Sequence, residues 1–464
     1  MNAVIDALEE ALGPDIVLSG DAVPERNRND WSGLDVTRPM AVLRPRNTAE
    51  IATALKICHA HHQAVVPQGG LTGLCGGARA RDGEIALSLE RLRGVEEVDT
   101  ANATMTVWAG TALEEVQRAA EEARLMCPLD LGARGTAAIG GNVATNAGGN
   151  RVIRYGMTRD MVLGLEVVLA DGTVLTSLNK MIKNNAGFDL KQLFIGSEGL
   201  LGVITRIVLR LQPLPQADTA AFVGLKDFDA VMQLLQRARS DLSGTLSAFE
   251  VLWPRFYESV TTMVEGIRAP LEERHGIYVL METQGADADI DGPRFERLLE
   301  SLFEAGIIED AALAQSAADI KAFWTIRDAV AENGEMLGEH VNYDIGLPVR
   351  KMQDFVAQTE GKLQTCWPGT KAFYFGHIGD GNIHVVLHAE VEGAQPKPDI
   401  DALIYGVARD MGGTISAEHG IGTLKQSYLG YTRSPEELAV MQTIKYALDP
   451  RSILNPGKVL LAET

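Results

Sequence analysis

The run Gly376-His377-Ile378-Gly379-Asp380-Gly381-Asn382-Ile383-His384 and, further along, Ser416-Ala417-Glu418-His419-Gly420 hold the residue types best suited to chemistry in this sequence. Two imidazoles and a carboxylate, those of His377, His384 and Glu418, make a three-ligand set for a divalent cation, with positions left open as a catalytic site requires. His419 adjoins Glu418, but in an extended segment the two side chains point apart, which suits His419 to act as a base. A substrate that chelates the cation through a hydroxyl and a carboxylate oxygen would have that hydroxyl acidified and its orientation fixed. Iron, manganese and zinc all accept two imidazoles and a carboxylate. The bland alternative is a hydrogen-bonded core histidine, and His388, which lacks the glycine context, is given no role.

The elements upstream are read as a platform for a large phosphorylated cofactor. Residues 48–62 form an amphipathic helix with Thr48 at its N-cap. Residues 64–67 form a short strand that runs into Gln68-Gly69-Gly70-Leu71-Thr72-Gly73. Residues 85–89 and 104–107 are strands and 111–123 a helix. The second cluster, Gly140-Gly141-Asn142-Val143-Ala144-Thr145-Asn146-Ala147-Gly148-Gly149, has side chains too small for a core helix and too much glycine for a strand. Residues 165–169 and 174–175 flank a turn at Asp171-Gly172, and 202–211 alternates as a strand. Glycine lets backbone N–H groups approach a pyrophosphate closely. Neither a dinucleotide-binding G-x-G-x-x-G nor a G-x-x-x-x-G-K-[ST] loop is present. Two unlike glycine loops on one lobe argue for an extended dinucleotide, with Thr72, Asn142, Thr145 and Asn146 as hydrogen-bonding partners. Each loop alone reads as a tight turn.

These segments, together with Ile195-Gly196-Ser197-Glu198-Gly199-x-x-Gly202, the His377 to His384 motif, Glu418-His419-Gly420 and Asn455-Pro456, resemble the FAD-dependent D-2-hydroxyacid dehydrogenases of the vanillyl-alcohol-oxidase superfamily. The resemblance covers nearly the whole chain. It implies an α+β, two-lobed fold: an FAD-binding domain over 1–215, an antiparallel-sheet substrate or cap domain over 216–415 carrying the metal motif, and a segment over 416–464 that returns to the first domain. It implies FAD contacts at Pro67, Gln68, Gly69, Gly70, Leu71, Thr72, Gly73, Gly140, Gly141, Asn142, Thr145, Asn146, Gly148, Gly149, Gly202, Ile204 and Asn455. Leu71 stands near the place where some members carry a flavin-linked histidine, so the flavin is expected to be non-covalent. The resemblance also implies zinc on His377, His384 and Glu418, His419 as base, and Arg327 gripping a substrate carboxylate, as a guanidinium can. Asn342 is a second expected substrate contact. Here the chain departs from the 2-hydroxyglutarate pattern, with Asn342 in place of a Lys, Ala331 in place of a Thr, and Val386 at a further polar position. D-2-hydroxyglutarate is the first choice of substrate, with D-malate and D-lactate beside it. An electron-accepting protein or quinone and a homodimer are the implied partners.

Bulk properties agree with an enzyme of this size. The 464 residues exceed one simple core, and Pro213 and Pro215 mark the best boundary. A net charge of −20 disfavours nucleic acid and anionic membrane as partners, so an anionic substrate needs a locally positive site. Cys58, Cys75, Cys127 and Cys366 are scattered, as in a reduced compartment. Asp6, Glu9 and Glu10 replace any basic leader, and no apolar run is long enough to span a membrane. The expected location is the cytoplasm, with peripheral attachment to the inner membrane left open. Competing readings are an oxidase that reduces dioxygen, a flavin-free zinc hydrolase that leaves both glycine clusters unexplained, and a subunit of a larger oxidase complex.

Overall fold

The strand over 203–210 does not alternate as expected but is buried along nearly its whole length, and it runs into Pro213 and Pro215. The computed structural model describes residues 2–461, and one compact unit stops at Leu214 while a second resumes at Pro215. The first unit runs from the N-terminal segment to Gly149, then Gly156–Leu214, and takes up the chain again from Glu418. The second is Pro215–Ala417 together with Asn150–Tyr155, a short excursion that composition did not announce. Among the described residues no helix is long and apolar enough to cross a membrane.

Two larger sheets, with a two-stranded pairing of Gln212–Pro213 and Leu125–Met126, make up the strands of the first unit. Strands β1 (Val17–Ser19), β2 (Ala41–Leu43), β3 (Val65–Gln68) and β4 (Ile85–Ser88) lie in the order β1-β2-β4-β3. The β2/β4 and β3/β4 pairs are parallel. Strands β5 (Val95–Asp99), β6 (Thr104–Trp108), β7 (Val162–Val168), β8 (Val174–Ser177) and β9 (Val203–Arg210) form an antiparallel sheet ordered β5-β6-β9-β7-β8. Two local expectations are corrected. The helix after β2 is Thr48–Ala60, and Asn47, not Thr48, caps it by accepting from the Glu50 amide at 3.0 Å. The Gly140 segment does form a helix, Ile139–Thr145. Its first amides are satisfied from outside, Ile139 by the Thr111 carbonyl at 2.9 Å and Gly140 by that of Ala109 at 2.8 Å, which offsets its weak propensity.

The second unit holds seven strands, β10 (Ala217–Leu225), β11 (Leu246–Leu252), β12 (Ile277–Gly285), β13 (Asp310–Leu313), β14 (Val341–Gly346), β15 (Lys371–Gly376) and β16 (Asn382–His388). They lie antiparallel in the order β13-β10-β12-β11-β15-β16-β14. Side chains alternate along each strand, so the register sorts them by face. One face collects Phe222, Leu252, Tyr278, Leu280, Phe373, Phe375 and Val386, which pack with Phe256, Phe323 and Ile326 from the helices Pro254–Met263 and Ala317–Asp328. The same face carries Glu250, Glu282, Asp344 and His384, all buried. The α+β architecture therefore sets an apolar core and a cluster of ionisable groups side by side.

After the helix Pro435–Leu448 the chain turns back along β3. The buried Asp449 carboxylate accepts the Ile453 and Leu454 amides at 3.1 and 2.8 Å, and Asn455 N donates to the Val65 carbonyl at 2.9 Å. Lys458 is buried, donating to the Gly77 carbonyl at 2.9 Å and Asn455 Oδ1 at 3.1 Å. Burial lowers its ammonium pKa to about 8, against the partial restoring pull of Glu84 and other acids. Between about 8 and the ordinary lysine value of 10.5 the unfolded chain holds a proton that the folded chain has released. Stability from this group therefore rises with pH through that window, by up to about 1.4 kcal/mol per pH unit, and is flat below it. Chemical denaturation of Lys458→Met and wild type at about pH 7.5 and about pH 10 checks this. The difference between the two is expected to move in favour of wild type at the higher pH, and a pH-independent difference removes the shift.

Candidate active site

Burying a carboxylate in a sheet requires donors aimed at it, and each acid on the ionisable face has them. Glu250, on β11, accepts from His377 Nδ1 at 2.5 Å and from Arg327 Nε at 2.9 Å. Arg327 Nη2 lies 2.9 Å from His377 Nε2, which closes a triangle of three groups. Burial pushes the Glu250 carboxyl up, but the pull of His377 and Arg327 outweighs it and holds it at about 2. Diagonally across the face, Glu282 accepts from Trp324 Nε1 at 2.8 Å, from Ser247 Oγ at 2.9 Å and from Arg151 at 3.2 and 3.3 Å. Trp324 and Arg327 stand one helical turn apart, so a single helix docks on both glutamates.

The motif strand pairs with the sheet edge. Asp344 on β14 is the register partner of His384 on β16, and their potential ligand atoms lie within 4.8 Å of one another. Asp344 accepts from Asn382 Nδ2 at 2.6 Å and from Ser416 Oγ and the Ala417 amide at 3.1 Å each. It thereby fixes the segment whose next residue is Glu418. The imidazoles of His377 and His384 sit 5.5 Å apart between centroids and nearly perpendicular. Two rings on one tetrahedral ion stand about 5 Å apart, given metal–nitrogen bonds of about 2 Å. Asn382 Oδ1 is buried with no protein partner. The turn between the two histidines ends at Gly381, whose φ of +97° favours glycine.

Of the expected substrate contacts, Arg327 is buried. Asn342 is exposed on the same strand face as Asp344, opposite Val386. In the first unit, Glu418 and His419 lie side by side, with Nε2 4.0 Å from Oε1. The loop behind them is held by Glu198, whose carboxylate accepts the Ile421 and Gly422 amides at 2.7 and 2.9 Å. Desolvation raises the Glu198 carboxyl pKa against the lowering effect of those amides.

The two glycine clusters meet in the first unit. A Cβ on Gly69 would touch Ala138 at 3.3 Å and Gly141 at 3.7 Å, and one on Gly70 would lie 2.1 Å from the Thr136 carbonyl oxygen. Gly73 and Gly141, by contrast, border open space, and Asn142 Oδ1 is buried without a protein partner. Open backbone beside an unsatisfied acceptor fits a bound cofactor with hydrogen-bond donors. Several of the residues expected to contact FAD also have structural work. The Gln68 side chain is occupied by Asn27 and the Ala78 carbonyl, and Thr145 Oγ1 donates to the Gly141 carbonyl at 3.0 Å. Asn146 accepts the Arg159 amide at 2.9 Å. Gly202 allows close approach to Val167 and Phe194, and Ile204 pairs with Val167 within the sheet. Asn455 Nδ2 donates to the Glu198 carbonyl at 2.6 Å. Pro67 is half-buried at the end of β3, Leu71 has φ +63° and is buried, Thr72 is half-buried, and Gly148 and Gly149 are buried.

Sequence reasoning missed Glu250, Glu282, Trp324 as an anchor, and Asp344. Its available signal was the cost of an acid inside apolar strand runs such as Leu246–Leu252.

Residues 39–177 match the family described as FAD binding domain, and residues 214–459 match FAD linked oxidases, C-terminal domain. The mitochondrial D-2-hydroxyglutarate dehydrogenase of Bos taurus is 39% identical over 455 residues, which cover 98% of this chain and 82% of that protein. The D-2-hydroxyglutarate dehydrogenase of Xanthomonas citri pv. viticola is 39% identical over 442 residues, 94% of this chain and 92% of that protein. Among solved structures, p-cresol methylhydroxylase with substrate bound superposes with a TM-score of 0.75 at 17% identity, covering 99% of this chain and 96% of that one. At that identity the likeness shows the fold alone.

Because a Cβ on Gly70 would collide with the Thr136–Ala138 backbone, Gly70→Ala is expected to part the two glycine segments. The expected result is at least a tenfold loss of FAD retention on gel filtration, with the far-UV spectrum of the folded chain kept. Full FAD retention would show that the close approach is dispensable.

Proposed function

We propose that this chain, which belongs to the family of FAD linked oxidases, oxidises a D-2-hydroxyacid to the corresponding 2-oxoacid. It is an FAD-dependent dehydrogenase. The observation that carries the substrate class is the Glu250 triangle, which sets the buried Arg327 guanidinium 2.9 Å from His377. A 2-hydroxycarboxylate needs that pairing, a cation for its carboxylate beside a group that can hold a metal for its hydroxyl.

Bound FAD would supply the acceptor for the hydride that leaves C2 of the substrate. A divalent cation, with zinc the first choice, supplies Lewis acidity that lowers the hydroxyl pKa. His377, His384 and Glu418 would hold it. The chemistry of the donors supports this, because an imidazole whose Nδ1 donates to a carboxylate offers its Nε2 lone pair. That lone pair serves one partner at a time, so a cation there replaces the Arg327 contact. Asp344 already accepts three hydrogen bonds and is assigned to holding the segment before Glu418. His419 takes the hydroxyl proton, and Arg327 binds and orients the carboxylate, with Asn342 assigned as a second substrate contact.

D-2-hydroxyglutarate is the first choice of substrate, since the relatives above carry that name. Asn342 and its register partner Val386 are uncharged, so this position offers no cation to a second carboxylate. D-malate and D-lactate therefore stay in the same experiment. The electrons leave for a protein or quinone acceptor, and the working unit proposed is a homodimer in the cytoplasm, with peripheral attachment to the inner membrane left open.

Anaerobic titration with D-2-hydroxyglutarate, D-malate, D-lactate and their L forms is expected to bleach the flavin band near about 450 nm with at least one D-acid and no L-acid. Bleaching by none of them sinks the substrate class. With the active acid, His419→Ala is expected to keep its FAD yet slow flavin reduction about 10²–10⁴-fold. Wild-type reduction by that variant would remove His419 as the base.

A further inference from the structure

We infer that Glu250 is a positioning residue serving both halves of the site, setting the tautomer of His377 and the direction of Arg327. The inference rests on the reading above, in which His377 holds a cation and Arg327 a carboxylate. Glu250 touches neither the expected cation nor the substrate. It acts through its two oxygens, one on His377 Nδ1 at 2.5 Å and the other on Arg327 Nε at 2.9 Å.

The tautomer follows from the third side of the triangle. A guanidinium has donors and no acceptor, so the 2.9 Å contact from Arg327 Nη2 to His377 Nε2 requires a lone pair on Nε2. The ring proton then sits on Nδ1 and is donated to Glu250. That is the form in which an imidazole can offer Nε2 to a metal, with its orientation set by the carboxylate behind it. Only an ionised carboxylate satisfies both neighbours, because it accepts on both oxygens. An amide would present one acceptor and one donor.

A purely architectural role for Glu250 is the competing explanation. The helix Ala317–Asp328 is already fastened to the sheet by Trp324 on Glu282, and by Phe323 and Ile326 in the apolar cluster. Docking of that helix does not need the bond to His377, which lies on the turn after β15. The Glu250–His377 bond instead ties the motif turn to the guanidinium, so that the two binding groups share one anchor.

Glu250→Gln tests this with FAD-loaded protein. If the Gln oxygen keeps Arg327, its NH2 faces Nδ1 and drives the ring to the Nε2–H form, which cannot ligate. If it keeps His377, it loses Arg327. The expected result is a 10–100-fold loss of zinc affinity, measured by competition with a chromophoric chelator. A raised KM for the D-acid should accompany it, with FAD content and far-UV spectrum unchanged. Wild-type zinc affinity together with wild-type KM overturns the inference. Should the variant fail to fold, long-range 1H–15N correlation on wild-type protein stripped of metal decides the matter, with His377 assigned by comparison with His377→Gln. A neutral ring protonated on Nδ1 upholds the inference and one protonated on Nε2 overturns it. The functional reading is judged separately: flavin that no D-acid bleaches, alongside an Nδ1–H His377, would fell that reading and leave Glu250's role in setting the tautomer.

Discussion

A carboxylate removed from water must be met by donors, and the ionisable face of the seven-stranded sheet is organised around that requirement. Glu250 is held by His377 and Arg327, Glu282 by Trp324, Ser247 and Arg151, and Asp344 by Asn382, Ser416 and Ala417. Removing one partner of such a group leaves a buried charge uncompensated, which costs several kcal/mol. The donors are therefore fixed in place by the acids as firmly as the acids are by them. Those donors include an imidazole, a guanidinium, and the backbone that leads to Glu418. In this fold, satisfying the acids and fixing the direction of these groups are one problem with one solution.

The first unit solves a different problem, that of bringing backbone close to backbone. Gly70 lies against the Thr136–Ala138 chain, and the short helix Ile139–Thr145 begins on carbonyls lent by Ala109 and Thr111. The chain that returns after Asp449 adds a parallel bridge to β3 and supplies Asn455, which donates to the Glu198 carbonyl. Glu198 in turn holds the loop that follows His419. Residues hundreds of positions apart thus bear on the two glycine segments, where Gly73 and Gly141 border open space and the Asn142 oxygen is buried without a protein partner.

Sequence made some of this legible and hid the rest for definite reasons. The strand β9, and the proline pair behind it, were plain because a run of apolar β-branched residues and a missing amide leave direct marks, although β9 is buried along nearly its whole length and does not alternate. The helix over Ile139–Thr145 was hidden because its stability comes from borrowed carbonyls and not from propensity. Asn47 and Thr48 are both good caps, and only the backbone turn chose between them. The excursion Asn150–Tyr155 into the second unit carries no change of composition. The motif histidines stood out through their glycine frame. Glu250 did not, since a single acid in a strand names its partners only once the strand order is known: His377 and Arg327 are distant in sequence and converge through β11, β15 and the helix Ala317–Asp328.

The same convergence explains how a chain of net charge −20 can receive an anion. Long-range charge falls off within a Debye length of about 10 Å at ordinary ionic strength, so the groups that decide are those on the face itself. There each buried acid is answered: Glu250 by Arg327 and the imidazole N–H of His377, Glu282 by Arg151. A carboxylate arriving beside Arg327 meets a guanidinium whose Nε is already committed to Glu250, so it competes for the remaining N–H groups and not for the anchor. Under the proposed reading, that division would let Arg327 stay put while a carboxylate comes and goes, and the uncharged pair Asn342 and Val386 would discriminate among hydroxyacids by size and hydrogen bonding, not by a second cation.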